Sequence, residues 1–404
     1  MGALSHIRVL DLSRVLAGPW ATQVLGDLGA EVIKVEKPGE GDETRAFGPP
    51  FLSDAHGARG DAAYFLCANR NKKSVAIDFA KLEGAALIRR LARRAHVVVE
   101  NFRTGTLSRY GLDADALIAE NPALVYCSLT GFGQNGPYKD KAGYDYLVQG
   151  MGGLMSITGQ ADGMPGAEPM KVGVAVSDLF TGLYSTIAIL TALLHQARTG
   201  EGQTIDMALF DCQAAALANQ ATNYLAGGVV PARMGNAHPN IVPYQVFPTA
   251  DGHLILAVAN DRQFKSFCGV AGLEQLAADP AFAANAGRVH NRDRLIELLK
   301  RVLASRSTAD WISSLELANV PCGPINHIDE VFADPQAIAR GFAVPMQHAS
   351  GPIHLVASPV RLSKTPPEYR LAPPTLGEHT NEILRDTLGL SERDIADLRE
   401  KGVI

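Results

Sequence analysis

Cysteine is scarce in this chain of 404 residues, and its five cysteines are odd in number and far apart. No two of them have the short spacing of a metal-binding pair, and the eleven histidines form no HxH or HxxxH pattern. We therefore expect neither a disulfide framework nor a metal centre. Unpaired thiols are typical of a reducing compartment, so the sequence predicts a cytoplasmic protein.

An excess of positive charge is also missing. The 37 Lys and Arg residues are outnumbered by 42 Asp and Glu, and the net charge of -5 argues against a nucleic-acid partner. The amino terminus has no basic segment leading into a long apolar stretch, as a signal peptide would have. The longest apolar run, near 183–194, is interrupted by polar residues and is too short to cross a membrane. We expect no membrane association.

A dinucleotide-binding loop is absent as well. Residues 6–13 predict a buried strand, 17–29 a helix and 30–36 a second strand, which is how a nucleotide-binding domain begins. Glu36 would then be placed to bind a ribose. The turn after the first strand reads SRVLAGPW, however, and has no G-x-G-x-x-G to approach a pyrophosphate. NAD binding is therefore not expected, and Lys37 suggests a phosphate-bearing ligand instead.

The sequence does contain a sustained alternation of strands and helices. Strands are predicted at 74–79, 96–102 and 123–133, with helices at 82–94 and 113–120. This pattern predicts an α/β fold whose mostly parallel sheet is covered on both faces. The length of the chain favours two domains.

The second half of the chain predicts a smaller α/β domain. A β-hairpin is expected over 242–260, turning at Asp251-Gly252, with helices at 261–270, 292–304 and 308–318. Our predicted boundaries are a large domain at 1–206 joined by the C-terminal segment 345–404, a linker helix at 207–226, a small domain at 227–325 and a return linker at 326–344.

A long apolar helix is predicted to begin just after an acid, Asp178, and to end at a Gly-rich turn that leads into the strand TIDMAL. Ser177 or Asp178 can cap its first turn. An acid at a helix start is usually only a cap. The positive end of a helix dipole also holds a carboxylate ionised, and an ionised carboxylate with one open face is a nucleophile. The apolar residues of this helix recur at helical spacing: Phe180, Leu183, Tyr184, Ile187, Leu190 and Leu194.

The segments GVAVSDLFTG and RTGEGQTIDMAL resemble the signature of the class III CoA-transferases, the family of formyl-CoA:oxalate and carnitine CoA-transferase. Further resembling segments follow in the family's order over nearly the whole chain: 14–45, 69–78, 97–112, 131–138, 142–159, 320–326 and 376–380. The segments 39–51, 241–252 and 288–292 are most similar to the succinyl-CoA:dicarboxylate branch, which includes the glutarate enzymes. The resemblance thus implies CoA transfer from a donor such as succinyl-CoA to a small dicarboxylate.

The resemblance implies a fold, an assembly and a mechanism. Family members have a Rossmann-like large domain, a smaller α/β domain and ring-shaped subunits that interlock as a homodimer. The implied nucleophile is Asp178, which would form an aspartyl anhydride and then an aspartyl-CoA thioester. CoA and acyl-CoA are then substrates, and no metal or tightly bound cofactor is implied.

The resemblance also implies a path for CoA along the ends of several strands. Asn101 and Phe102 follow a predicted strand, where ligands of α/β proteins gather. Arg109 can equally be a solvated helix residue, and Ile77 a core residue. The implied CoA-binding residues are Val15, Leu16, Ala17, Lys37, Ile77, Asp78, Asn101, Phe102 and Arg109.

Tyr144 discriminates between two activities. Related 2-methylacyl-CoA racemases carry histidine at this position, as a partner of the aspartate in proton transfer. An unperturbed tyrosine is a poor base near neutral pH, so Tyr144 favours a transferase. Leu16 and Ala142 stand where the oxalate enzymes have glutamine and lysine, which disfavours oxalate. The alternatives are a racemase and a CoA-binding protein without chemistry.

A dicarboxylate acceptor needs a cation for its distal carboxylate. Four basic residues of the resembling segments are candidates, and each can equally be a solvated surface charge: Arg45, Arg233, His238 and Arg288.

Overall fold

The structure is a computed structural model that describes residues 2–53, 57 and 59–404. Its backbone contacts divide the chain into two compact units. The first contains Met1–Leu154, Lys171–Val229 and Ile338–Ile404, and the second contains Met155–Met170 and Val230–Ala337.

This division differs from the predicted boundaries because Met155–Met170 joins the second unit. Within that unit, the N–H of Gly235 donates to the carbonyl oxygen of Gly159 at 3.0 Å, and Arg233 pairs with Asp162. These contacts join residues about seventy positions apart, and no local sequence pattern indicates them.

Thirteen strands occur in the described residues. They are β1 (Arg8–Asp11), β2 (Glu31–Glu36), β3 (Phe51–Ser53), β4 (Arg59–Ala62), β5 (Lys72–Ala76), β6 (Val97–Glu100), β7 (Val125–Thr130), β8 (Gln203–Ala208), β9 (Tyr244–Pro248), β10 (His253–Ala257), β11 (Cys322–Gly323), β12 (Ala343–His348) and β13 (Gly351–Val356).

Helices connect most of these strands. They are α1 (Ala17–Asp27), α2 (Ala63–Leu66), α3 (Leu82–Ala92), α4 (Ala114–Glu120), α5 (Asp145–Met151), α6 (Leu154–Ile157), α7 (Val176–Thr199), α8 (Leu209–Ala216), α9 (Ala218–Gly227), α10 (Asp261–Ala271), α11 (Glu274–Ala278), α12 (Asn285–His290), α13 (Arg292–Leu303), α14 (Thr308–Leu317), α15 (Ile328–Ala333), α16 (Pro335–Ala339), α17 (Thr380–Glu382) and α18 (Glu392–Glu400). The linker helix predicted at 207–226 is thus two helices, separated where Leu217 precedes Ala218 at a φ of 46°.

The first unit is built on a six-stranded sheet in the order β5-β2-β1-β6-β7-β8, and all its neighbouring strands are parallel. The predicted α/β fold with a large parallel sheet is therefore correct. Leu10 lies opposite Ile33 in β2 and Val98 in β6. After β1 the chain forms β2 and β5 on one side of β1, and it later forms β6 on the other side. In such sheets the ligand crevice lies where the strand order reverses, at the carboxyl ends of these two strands.

Apolar clusters cover both faces of this sheet. Side chains of α3, α4 and the C-terminal helices pack on one face, and those of α1 and α7 pack on the other. The strands carry runs of valine, isoleucine and leucine, as expected of parallel strands buried on both sides. The two short hairpins, β3–β4 and β12–β13, also belong to this unit.

Helix α7 turns its small residues inward. Thr181, Gly182 and Ser185 are buried, whereas Ile187 is 59% and Leu194 is 70% exposed. By length and composition alone α7 could cross a membrane, although a single helix of this kind is weak evidence because core helices pass the same test. Its inner side packs against α1 and the sheet. The large apolar residues that indicated the helix therefore lie largely on its exposed side.

The second unit has a core of its own. Strands β9 and β10 form the predicted antiparallel hairpin, and β11 pairs with β10. Trp311 of α14 and Phe264 of α10 are fully buried against this three-stranded sheet and α13. The predicted helices at 261–270, 292–304 and 308–318 correspond to α10, α13 and α14.

Candidate active site

The turn after β1 is joined to the end of β6 by one side chain. The Oδ1 of Asn101 accepts the backbone N–H of Arg14 at 2.8 Å, and its Nδ2 donates to the Arg14 carbonyl oxygen at 2.7 Å. This amide holds together the two chain segments at the point where the strand order of the sheet reverses. Both residues line one cavity.

The next residue of this turn has an unusual backbone. Val15 has a φ of 66°, a left-handed conformation that a β-branched residue rarely adopts. Its N–H donates to Oδ1 of Asp42 at 3.3 Å. Helix α1 begins two residues later, and its N-cap, Leu16, offers no side chain to the first-turn N–H groups. Val15, Leu16 and Ala17 line the same cavity as Asn101.

Asp178 opens into this cavity from the first turn of α7. One turn later Gly182 packs against α1, where an added Cβ would lie 2.7 Å from the carbonyl oxygen of Ala17. Glycine therefore permits a close approach that brings the start of α7 beside the turn of Val15. The nucleophile implied by the resemblance and five of the implied CoA-binding residues thus line one cavity: Val15, Leu16, Ala17, Asn101 and Phe102.

The predicted capping of α7 by Ser177 or Asp178 is wrong. The N-cap is Ala175, and a residue from another helix serves the first turn. Oδ1 of Asp145 accepts the N–H of Ser177 at 2.8 Å and that of Asp178 at 3.3 Å. Among the described residues, none donates a hydrogen bond to the carboxylate of Asp178. That carboxylate is therefore open to a substrate.

The expectation that the helix dipole holds Asp178 ionised also needs correction. Burial, which is the larger cause, and the nearby negative charge of Asp145 together raise the pKa of Asp178 to about 7. Removing a carboxylate from water disfavours its charged form, and here a like charge already occupies the end of the helix. The carboxyl group of Asp178 thus titrates near neutral pH.

Tyr64 interacts electrostatically with Asp178, and the sequence analysis missed it. Burial and, next, the charge of Asp178 raise the pKa of its phenol to about 12, although Tyr64 does not line the cavity of Asp178. The ring also meets Phe47 edge-on at 5.7 Å. Tyr64 belongs to the four-residue helix α2, and a tyrosine in such a short segment gives no signal that would distinguish it from a core residue.

A second cavity adjoins the first and shares Arg14, Glu43 and Phe102 with it. Lys37, Ile77 and Asp78 of the implied CoA path line this second space. Lys37 is exposed and pairs with Glu40 at 2.6 Å. Glu36, the residue considered for a ribose, instead binds Arg45 through two hydrogen bonds.

Two residues that the resemblance implied, Arg109 and Tyr144, are not placed as the resemblance led us to expect. Arg109 lies exposed in the 3-10 helix Leu107–Tyr110, outside both cavities. Arg14 and Arg103 line the cavity of Asp178, and the guanidinium of Arg14 pairs with Glu43. Tyr144 does line that cavity, but its side chain is 69% exposed at the N-cap of α5.

The four candidate cations for a distal carboxylate have other partners. Arg45 is buried between Glu36 and Asp61. Arg288 is fully buried and donates to three carbonyl oxygens, so it is a core residue. Arg233 pairs with Asp162 and, like His238, belongs to the second unit.

Four other basic residues line the cavity of Asp178: Arg14, Arg103, Lys139 and Lys141. Neither the strand pattern of the sequence nor the spacing of these residues indicated that they would line this cavity. In the described part of the chain, no three His, Cys, Asp or Glu side chains form a group that could hold a metal ion.

Comparisons with known proteins show the family to which this chain belongs. The chain matches the sequence pattern of CoA-transferase family III over residues 4–380. It is 53% identical to the succinate–glutarate CoA-transferase of Agrobacterium fabrum over 384 residues, which cover 95% of each chain. It is 42% identical to the succinyl-CoA:glutarate CoA-transferase of Homo sapiens over 402 residues, 99% of this chain and 90% of the human one. The crystal structure of a CAIB/BAIF family protein from Brucella suis superposes with a TM-score of 0.84 at 50% identity, covering 95% of this chain and 99% of that one.

Proposed function

The chain belongs to CoA-transferase family III, and we propose from this that it transfers CoA from succinyl-CoA to glutarate or a similar small dicarboxylate. The relatives named for succinate and glutarate, at 53% and 42% identity, support this choice of substrates. The observation that carries the proposal is the carboxylate of Asp178, which faces the cavity without a hydrogen-bond donor among the described residues.

The proposed reaction begins with attack of an Asp178 oxygen on the thioester carbonyl of succinyl-CoA. The carbon–sulfur bond breaks, the CoA thiolate leaves, and a mixed anhydride of Asp178 and succinate forms. The thiolate then attacks the aspartyl carbonyl, which releases succinate and leaves an aspartyl-CoA thioester.

Glutarate completes the cycle by the same steps in reverse. Its carboxylate attacks the aspartyl-CoA carbonyl and displaces the thiolate, giving an anhydride of Asp178 and glutarate. The thiolate attacks the glutaryl carbonyl, glutaryl-CoA forms, and the Asp178 carboxylate is restored. No net proton or electron is consumed.

The surroundings of Asp178 suit both the attack and the departure of a carboxylate. A carboxylate that has lost part of its hydration is a stronger nucleophile than one in water. Asp178 is held away from solvent beside Asp145, which is why its pKa is raised to about 7. Its conjugate acid is thus close in pKa to the working pH, as expected of a group that both attacks and leaves.

A homodimer is part of the proposal, in the interlocked form that the resemblance implies. Its support is the exposed apolar side of α7, with Ile187 and Leu194 more than half exposed. Apolar surface of this extent is typical of a protein interface. Sedimentation velocity should give twice the chain mass of 43.0 kDa. A cytoplasmic location is likewise proposed, because all five cysteines are unpaired.

Intact-protein mass spectrometry after addition of succinyl-CoA tests the mechanism. We expect a CoA-sized adduct on the wild-type protein that maps to Asp178 and is released by hydroxylamine. The Asp178→Asn variant should form none. If neither protein forms an adduct while solvent deuterium enters the α-carbon of an acyl-CoA, the protein is a racemase and the proposal is wrong.

A further inference from the structure

Side chains hold the backbone groups of three successive residues in the turn after β1: Ser13, Arg14 and Val15. The N–H of Ser13 donates to Asp11 at 2.9 Å, and its carbonyl oxygen accepts Nζ of Lys34 at 2.9 Å. Asn101 holds both groups of Arg14, as described above. A turn that is held by so many hydrogen bonds is rigid. A simple connection between a strand and a helix does not require such rigidity.

Two of these contacts come from a buried ion pair. Nζ of Lys34 lies 2.9 Å from Oδ2 of Asp42, and each side chain is only 1% exposed. The other oxygen of Asp42 accepts the N–H of Val15 at 3.3 Å and the hydroxyl of Thr44 at 2.7 Å. Burial opposes the charge on Asp42, yet Lys34 and Thr44 lower the pKa of Asp42 to about 2. The pair therefore stays ionised across the neutral range.

The residue that this pair holds is the strained one. A β-branched side chain is strained at the φ of 66° found for Val15, because its Cβ crowds the following carbonyl oxygen. Such a conformation persists only where its surroundings enforce it. The ion pair does so from both sides of the turn, because Lys34 binds the residue before Arg14 and Asp42 binds the residue after it.

The held turn sets the start of α1 opposite Asp178. Helix α1 has no side-chain cap and no acid in its first turn, and Leu16 and Ala17 share the cavity with Asp178. Backbone N–H groups at such a position stabilise a negative charge that develops on a carbonyl oxygen. Neither Lys34 nor Asp42 lines the cavity around Asp178; both border the second cavity, where their side chains are only 1% exposed.

We propose that the buried Lys34–Asp42 pair is a positioning device, which holds Val15 in its left-handed conformation so that the first N–H groups of α1 receive the oxyanion formed when Asp178 attacks. Lys34 and Asp42 are positioning residues, since their side chains are almost fully buried and their polar atoms bind the turn and each other. The inference rests on the proposed transferase function for its chemical role, whereas the holding of the turn is a property of the fold.

Steady-state kinetics of Asp42→Asn tests the chemical role. We expect kcat with succinyl-CoA and glutarate to fall by about tenfold or more, because misplaced donors stabilise the transition state less. The KM for succinyl-CoA should change by less than about threefold, since ground-state contacts with CoA remain. Thr44→Val, which removes one hydroxyl but no charge, should give a smaller loss of the same kind and serves if Asp42→Asn fails to fold.

The chain offers a matched control in Asp27. It is buried, accepts Nε of Arg70 at 2.8 Å and Nδ2 of Asn71 at 2.8 Å, and Asn71 also has a positive φ, of 60°. Asp27 therefore anchors a strained residue in the same unit but does not line the cavity of Asp178. Asp27→Asn should lower the melting temperature and leave kcat unchanged. If Asp27→Asn and Asp42→Asn lose kcat equally, the Lys34–Asp42 pair has only a structural role and the proposal is wrong.

A second substitution at Val15 gives a sharper readout. Glycine adopts a positive φ without penalty, so Val15→Gly in the Asp42→Asn background should recover a large part of kcat without restoring the melting temperature. A purely structural defect would not be rescued in this way. Failure of the rescue, with the double variant folded and no more active than Asp42→Asn, contradicts the proposal.

Hydrogen exchange separates this inference from the proposed function. Amide exchange over residues 13–17 should accelerate in Asp42→Asn and not in Asp27→Asn, whatever reaction the protein catalyses. If exchange accelerates but the wild-type protein transfers no CoA, the transferase proposal fails and the holding of the turn stands. If the wild type is active and Asp42→Asn neither accelerates exchange nor loses kcat, the positioning role is wrong.

Discussion

The backbone N–H of Asp178 donates to Oδ1 of Asp145 at 3.3 Å, so two carboxylates meet at the start of α7. Asp145 takes the place of a helix cap, and its charge adds to the effect of burial in raising the pKa of Asp178. One acid thus occupies the positive end of the helix, and the other is left with a pKa near neutrality and no hydrogen-bond donor among the described residues.

A dependence of activity on pH follows from this arrangement. Because Asp178 must be ionised to attack and its pKa is raised to about 7, kcat/KM should rise with pH through about 7 and then level off. Replacement of Asp145 by Asn keeps an oxygen for the N–H of Ser177 but removes the like charge. The acid limb of the Asp145→Asn profile should therefore lie at lower pH than that of the wild type. Profiles measured with succinyl-CoA from pH 5 to 9 check this, and a limb that does not move would rule out the coupling.

Tyr64 gives a second prediction. The charge of Asp178 contributes to the raised pKa of its phenol, and we expect this phenol to donate a hydrogen bond to an oxygen that becomes negative during the reaction. Tyr64→Phe should lower kcat by about a hundredfold, the usual effect of removing one such donor, with little change in the melting temperature. Tyr224→Phe is a suitable control, because that exposed tyrosine in α9 lies outside the cavity. Equal kinetics for the two variants would exclude Tyr64 from the reaction.

Much of the fold is predictable from local pattern. Runs such as VVVE and the apolar spacing of the helix after Val176 depend on neighbours within a few residues, and these elements occur where they were expected. Asp178 is a candidate nucleophile because of the family resemblance rather than because of its position, since an acid at a helix start is most often a cap.

The parts that could not be predicted depend on contacts between distant residues. Asp145 accepts a hydrogen bond from Ser177, which is 32 positions further along the chain. Lys34 is buried, although a lysine is normally expected at the surface. Arg288 was a candidate binding residue but is fully buried in the core. A core arginine and a substrate-binding arginine cannot be told apart in a sequence before the fold is known.

The raised pKa values predict how stability depends on pH. A carboxyl group with a higher pKa in the folded than in the unfolded protein keeps its proton longer in the folded state, so stability falls as pH rises between the two values. Burial raises the pKa of Glu100 from 4.5 to about 7, against opposing hydrogen bonds from Ser128 and Phe102. Glu100 and Asp178 should both contribute such a loss between about pH 4 and pH 7.

Asp178→Asn and Glu100→Gln should each reduce this loss. Urea unfolding at pH 5 and pH 8 should show the wild type losing stability over the interval, and each variant losing less, by about 2 kcal/mol. The Asp178→Asn protein should therefore melt above the wild type at pH 8 while being inactive. Parallel pH dependences for wild type and both variants would contradict the raised pKa values.

The last prediction concerns the distal carboxylate of the acceptor. Lys141 lines the cavity of Asp178, and its ammonium group is fixed 3.6 Å from the centre of the Tyr138 ring. We expect Lys141→Met to raise the KM for glutarate by about tenfold and to leave that for pentanoate unchanged, because only the diacid presents a second charge. Lys300→Met, at the surface of α13, is the control. If Lys141→Met weakens the binding of both acids alike, the distal charge is recognised by another residue.

Arg288→Met should act on stability instead. It should lower the free energy of unfolding of the second unit by about 3 kcal/mol, because three buried carbonyl oxygens lose their donor.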